Sequence, residues 1–321
     1  MDAQVEPETA GSPTATTKWT RSSLRSLSRQ LTERGHTVSR TTVGRLLRER
    51  HYSLRGHRKE KETGPAHPDR NRQFLYIRTQ VTAFRAAGWP IISVDTKKKE
   101  LIGEFANAGQ AWGQGVTKVN VHDFLQDALG KAVPYGIHDP VANRGAVFVG
   151  DSADTPEFAV AAITRWWEVE GRPTYPTATH LLVLGDAGGS NGYRRRNWKK
   201  QLQEQLSDRM GLVVTVCHYP TGCSKYNPIE HRLFGPISMN WRGKVLKTFE
   251  HMLAYIRGTA NETGLTVTAY RLEGTFEKGQ TVTDAEMATL RMERHFVCPN
   301  WNYTFYPRHS RSLASPRDSR N

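Results

Sequence analysis

The sequence predicts an α/β protein, a mixed five-stranded sheet flanked by helices, preceded by a small all-α unit. Three observations predict it. Apolar runs that end at turn residues come first in close succession and then alternate with helical segments. A short N-terminal stretch carries leucines at helical spacing and a dense load of arginine. Between the two lies KETGPAHPDRNR, residues 61–72, whose glycine, prolines and charges have the composition of a connector.

Taken in order, residues 1–17 are polar and aperiodic and are expected to form a disordered tail. Residues 18–60 hold two short helices. Leu24, Leu27 and Leu31 face inward on the first, Gly35 breaks the run, and Val43, Leu46 and Leu47 face inward on the second. This is the plan of a helix-turn-helix domain. After the linker, residues 73–306 begin with a helix over 73–87, ended by Gly88 and Pro90. The strand-like runs IISVD, ELIGEF, KAVPYGI and GAVFVGD follow, then a helix over 156–170, the strand HLLVLGD, a helix over 193–209, the strand LVVTVCHYP and a helix starting near Pro228. The order β-β-β-α-β-α-β-α is that of RNase H-like folds, in which helices cover a mixed sheet. Residues 307–321 read as a basic disordered tail.

The chain has 321 residues, a formal net charge of +14 and a pI near 9.8. An arginine-rich excess of this size suits a partner built of phosphates. No window approaches the roughly 18 apolar residues of a membrane span, and the N terminus lacks the regions of a signal peptide. Three cysteines without a C-x-x-C pair give neither a disulfide framework nor a zinc ribbon. A cytoplasmic, nucleoid-associated protein is expected.

Between Lys18 and Glu60 there are twelve Lys or Arg against three Glu. Ser39 stands where a helix N-cap belongs, and with Val43, Leu46 and Leu47 inward, Arg40, Thr41, Gly44, Arg45 and Arg48 fall outside. That face suits a DNA major groove; the plain alternative is a charged helical hairpin that packs on a protein.

Two-metal phosphoryl chemistry needs converging carboxylates, because Mg²⁺ or Mn²⁺ prefers hard oxygen ligands and the two ions lie about 3.5 to 4 Å apart. Asp95 closes IISVD, Asp186 closes HLLVLGD, and Glu230 opens the helix after LVVTVCHYP. In an RNase H-like sheet the first and fourth strands are neighbours with the last helix beside them, so these three acids are expected to meet as catalytic residues and as ligands of two ions. Each also has an ordinary explanation: Asp186 shaping a glycine-rich turn, Glu230 in a capping box with Asn227, Asp95 paired with the lysines that follow it. Asp151 and Asp139 are rivals, Asp151 set aside because it is expected to end an edge strand. A zinc site from Cys217, His218, Cys223 and His231 is disfavoured, since Cys217 and His218 point to opposite faces of a strand. No nucleophile elbow supports a serine or cysteine hydrolase.

The strings SVDTKKKELIGEFANAG, VNVHDF, KAVPYGIHD, FAVAAITRWW, GDAGGSNGYRRRNWK, TVCHYPTGCSKYNPIEHRLFGPISMNW and ERHFVCPNWNYTFYP closely resemble the Rhodopirellula-type DDE transposase family of bacterial insertion sequences, from about Trp19 to Pro307. YNPIEHRLF also looks like the NPIE segment of mariner-like transposases. The resemblance implies a cut-and-join enzyme whose DDE residues are Asp95, Asp186 and Glu230, acting on transposon ends and target DNA as a homodimer or larger assembly. Where the family is expected to carry Asp-Gly-Gly-Gly, this chain has Asp186-Ala187-Gly188-Gly189. Its basic N-terminal region is also shorter than is usual there. Lys97, Lys98, Lys99, Arg194, Arg195 and Arg196 flank the acids in sequence and are expected to neutralise DNA phosphates. The rivals are a DNA-binding regulator descended from such an enzyme and an RNase H-like nuclease that cuts without joining.

Overall fold

The computed structural model describes residues 9–10, 19–20, 23–52, 67–110, 115 and 117–308. Within the expected N-terminal tail, Thr9–Ala10 pairs antiparallel with Trp19–Thr20. The rest of that tail, half of the expected linker and nearly all of the C-terminal tail lie outside the described residues. The chain divides into two units, Met1–Lys61 and Glu62–Asn321.

In the first unit, α1 (Leu24–Glu33) and α2 (Arg40–Glu49) start at serine caps: Ser23 accepts from the Ser26 N–H and Ser39 from the Thr42 N–H, each at 3.1 Å. Between them Gly35 takes φ +87°, a conformation glycine enters without steric cost. Leu27, Leu31, Val43 and Leu47 form the core, with Val38 and Tyr52 against it. Two inward–outward assignments need correction. Leu24 is partly exposed, and Gly44 is buried where α2 passes α1, a Cβ there standing 3.4 Å from Leu24 Cδ1.

The second unit opens with α3 (Arg70–Ala86), which starts earlier than the expected residue 73. Its polar first turn resembles a linker because Asn71 and Arg72 face solvent, while Arg70 reaches the Cys223 sulfur and the Tyr226 hydroxyl. The strands are β1 (Ile91–Thr96), β2 (Glu100–Ile102), β3 (Gly130–Asp139), β4 (Arg144–Gly150), β5 (His180–Gly185), β6 (Val213–His218), β7 (Thr266–Arg271), β8 (Met292–Arg294) and β9 (Asn302–Phe305). They form one mixed sheet in the order β8-β9-β6-β5-β1-β3-β4-β7, with β2 paired to β3 off this path. At its centre lie five of the six expected runs, β6, β5, β1, β3 and β4, with β1 parallel to β5 and antiparallel to β3; ELIGEF gives only the short β2. The sheet is wider than five strands: β7 joins β4 in parallel, and β9 and β8 extend it antiparallel beyond β6.

The two-residue period of each strand sorts side chains to opposite faces. Ile92, Val94, Leu181, Val183, Val214 and Val216 point into one core with Phe158, Trp166, Trp198 and Leu202. Those belong to α4 (Pro156–Trp166, prolonged by a π-helical turn Trp167–Gly171) and α5 (Arg196–Gln201, prolonged through Leu202–Asp208). On the other face Ile91, Leu182 and Leu184 pack on Ile77 and Phe84 of α3. Beside them Val147 and Val149 meet Ile229, Leu233 and Phe234 of α6, a π-helical turn Glu230–Phe234 running into Gly235–Asn240, together with Met252 and Leu253 of α7 (Phe249–Arg257). Two strand glycines let α6 sit this low: a Cβ at Gly136 would collide with the Phe234 ring, and one at Gly145 with Leu233. A short α8 (Asp284–Ala288) follows β7. No helix among the described residues is long and apolar enough to cross a membrane.

Candidate active site

Strand parity decides where the acids go. Ser93 and Asp95 alternate with Ile92 and Val94, so they belong to the α3 and α6 side of β1. Asp186 continues the Leu182, Leu184 series to the same side. The parallel register pairs Val94 with Gly185, which sets Asp95 and Asp186 next to each other at the carboxyl ends of neighbouring strands. Both line a cavity of about 300 Å³ with Gly188, Gly189, Pro220, Thr221, Gly222 and Ser224. Glu230, in the first turn of α6, completes the electrostatic neighbourhood: burial and the carboxylates of Asp186, Glu230 and Asp154 push Asp95 up to about 8, against the Thr96 N–H, which pulls it down. Asp186 is likewise raised, by burial and by Glu230, and lowered by the Asn227 amide.

The ordinary explanations of the acids find no support in their contacts. Asp95 Oδ1 accepts from the Thr96 N–H at 2.7 Å, while the following lysines turn elsewhere: Lys98 to Glu100 at 3.7 Å and Lys99 to Asp154 at 3.1 Å. Asp186 does not brace its glycine turn; its Oδ1 accepts from Asn227 Nδ2 at 3.0 Å. Asn227 does not cap α6 with its side chain, which is fully buried and reaches Asp186 and Ser93. His218 holds the same loop from below, one ring nitrogen 2.9 Å from the Asp186 carbonyl and the other 2.7 Å from the Tyr303 hydroxyl. The Trp198 indole N–H donates to that hydroxyl at 3.1 Å.

As the side chains stand, no group of three or more His, Cys, Asp or Glu among the described residues is arranged to hold a metal ion. The residues of the zinc alternative have other partners: Cys217 lies in the α3 core, His218 is held as above, the Cys223 sulfur faces Arg70, and His231 Nε2 is 2.7 Å from the Lys225 carbonyl. Asp139 ends β3 and braces the turn that follows, accepting from Val141 and Ala142 N–H at 2.9 Å and from the Tyr175 hydroxyl at 2.6 Å. Asp151 follows an interior strand, not an edge strand, and pairs with Arg271. The acid beside the site is instead Asp154, whose Oδ1 accepts from the Thr96 hydroxyl at 3.1 Å. Nothing in ADTPE marks it beforehand except its place just before Thr155, the N-cap of α4.

The expected phosphate contacts separate. Lys97 is buried, over the Trp241 ring at 4.7 Å and 3.9 Å from Glu100, whereas Lys98 is exposed. Arg194, Arg195 and Arg196 line a different cavity, of about 440 Å³, and Arg196 is tied to Asp284 at 2.6 Å and to the Val282 carbonyl. Arg194 lies over the Tyr193 ring. In the first unit Arg40, Thr41, Arg45 and Arg48 are exposed along α2, and Arg40, Thr41 and Arg48 line an open cleft with Ser23 and Arg25.

Fold and site together define an α/β protein with an acidic pocket at the carboxyl ends of two neighbouring parallel strands. The sequence model of the family described as Rhodopirellula transposase DDE domain matches residues 1–307. The chain therefore belongs to that family of transposases. Comparison with the curated proteins finds no match. Among solved structures, the chain is similar to the Mos1 transposase paired-end complex with left transposon end (12% identity, TM-score 0.41, 73% of this chain and 65% of that one). It is also similar to the Mos1 mariner paired end complex with Mn, with the same values, and to a pre-cleavage Mos1 transpososome (11%, 0.43, 77% and 73%). The chain thus spans just under two thirds of the first of these.

Proposed function

We propose that the chain is a DNA transposase that cleaves and then joins DNA strands, with Asp95, Asp186 and Glu230 holding two Mg²⁺ or Mn²⁺ ions. The observation that carries this reading is the pair Asp95 and Asp186 in one cavity, with Glu230 near enough to raise both, in a chain of a transposase family. The donor set fits hard cations. Asp95 and Asp186 each engage one carboxylate oxygen and keep Oδ2 without a hydrogen bond among the described residues. Crowded, partly buried carboxylates of one sign are the arrangement that a divalent ion relieves.

When bound, the ions supply a water of lowered pKa and neutralise charge on the reacting phosphate. The chain's own residues do the rest. Thr96 and Asn227 fix the two aspartates, and the glycines at 188, 189 and 222 line the cavity beside them. Cleavage leaves a 3′-hydroxyl at the element's end. That hydroxyl then attacks a target phosphodiester and expels a 3′ oxygen, with no intermediate bound to protein. In the RNase H-like reading the first unit is a helix-turn-helix that grips duplex DNA through Arg40, Thr41, Arg45 and Arg48, while Lys98, Arg194 and Arg195 contact phosphates. Lys97 and Arg196 serve the fold instead, and Lys99 holds Asp154. Two ends must meet, so the working form is a homodimer or larger.

A strand-transfer assay tests this. Joined products support transposition, cut products alone a nuclease, and binding without either a regulator. Asp186→Asn is expected to keep DNA binding and lose Mg²⁺-dependent cleavage; normal cutting by this variant would exclude the assignment.

A further inference from the structure

We infer that Asn227 is a positioning residue whose side chain locks the Asp186 carboxylate to β1, the strand that carries Asp95; the inference rests on the metal-binding reading above. Its side chain is completely buried, and each end is engaged. The carbonyl oxygen accepts from the Ser93 hydroxyl, on the same face of β1 as Asp95 and two residues before it. The amide nitrogen donates to Asp186 Oδ1 at 3.0 Å and lies 3.5 Å from the Val94 carbonyl. Its backbone carbonyl accepts from the Glu230 N–H at 3.2 Å, tying the same residue to the first turn of α6. One residue therefore touches β1, the end of β5 and the helix that carries Glu230. Because Oδ1 of Asp186 is occupied, the carboxylate is turned so that Oδ2 is the oxygen left for a cation. An amide suits this role better than an ionised carboxylate, which only accepts: it offers a donor to the anion and an acceptor to Ser93 at the same time.

Partners that orient metal ligands typically contribute about 10- to 100-fold in metal affinity. The test is Mn²⁺ binding to the full-length chain, followed by electron paramagnetic resonance, with thermal melting and DNA cleavage at several Mn²⁺ concentrations alongside. Asn227→Ala is expected to weaken Mn²⁺ binding about 10- to 100-fold and to recover part of its cleavage rate as Mn²⁺ is raised, the mark of a positioning defect. Ser93→Ala, which keeps the donor to Asp186 but frees its orientation, is expected to shift affinity a few-fold. A folded Asn227→Ala chain with wild-type Mn²⁺ affinity overturns the inference. Should that variant not fold, Ser93→Ala decides, and an unchanged affinity there overturns it. A wild-type chain that binds no Mn²⁺ overturns the metal reading, and this inference with it, whereas normal wild-type binding with unaffected variants sinks the role of Asn227 alone.

Discussion

Gly136→Ala tests whether the seating of α6 on the sheet sets the position of Glu230. A Cβ at residue 136 would collide with the Phe234 ring and stand 3.0 Å from Ile229 Cδ1. Both side chains are buried, so neither swings aside into solvent. Ordinary carbon–carbon contact begins near 3.5 Å, so the start of α6 must rise by roughly half an ångström at Ile229, and further at Phe234. Overpacking of this kind costs about 1 to 3 kcal/mol. For a unit of this size that corresponds to a fall in Tm of roughly 2 to 10 °C. Ile229 is next to Glu230, and misplacement on the order of 1 Å in a catalytic constellation can cost about a hundredfold in rate. The expected result is a modest loss of Tm by calorimetry together with a cleavage rate reduced about 10- to 100-fold, with binding of terminal DNA by gel shift unchanged. A Gly136→Ala chain with wild-type Tm and wild-type rate would refute the reasoning, because the close approach would then carry neither stability nor geometry.

The remaining predictions concern charge. His138 is buried with both ring nitrogens unpartnered, and burial pushes its pKa down to about 4. A folded value below the unfolded one means that its contribution is full above about pH 6.5 and fades as pH falls towards 4, a loss of about 2 kcal/mol by pH 5. Urea melts at pH 7 and pH 5 should therefore show a smaller decline in His138→Leu than in wild type; equal declines would contradict the assignment. Lys97→Ala is expected to lower Tm and leave the salt dependence of DNA binding unchanged, since this lysine packs on Trp241. Lys98→Ala should do the reverse, reducing the slope of log K against log salt by about one; a common effect of the two would mean that burial does not separate them.

The centre of the fold was legible because its signals are local. The β1, β5 and β6 runs are apolar, of strand length and bounded by turn residues, and strand parity alone puts Asp95 and Asp186 on one side. The outer strands β7, β8 and β9 were not legible: MER and NYTF are short, TVTAYR is as long as β1 but partly polar, and all three become strands by pairing with an existing edge. The site shows the same division. The order of elements is enough to bring Asp95 and Asp186 to one cavity, but Asn227 reads as a helix cap until its side chain is seen turned to Ser93 and Asp186. The charged run Lys97–Lys99 reads as one solvated patch, yet its members go to an aromatic ring, to solvent and to Asp154. What a polar side chain touches is decided by chain segments far away, and spacing does not encode it.

The hold on the Asp186 loop has a temporal side. His218 steadies the carbonyl of Asp186 while leaning on a tyrosine 85 residues further along the chain, in β9. A ribosome delivers that tyrosine long after all three acids have emerged. A nascent or prematurely terminated chain ending before β9 thus owns every acidic side chain of the pocket but not the brace beneath it.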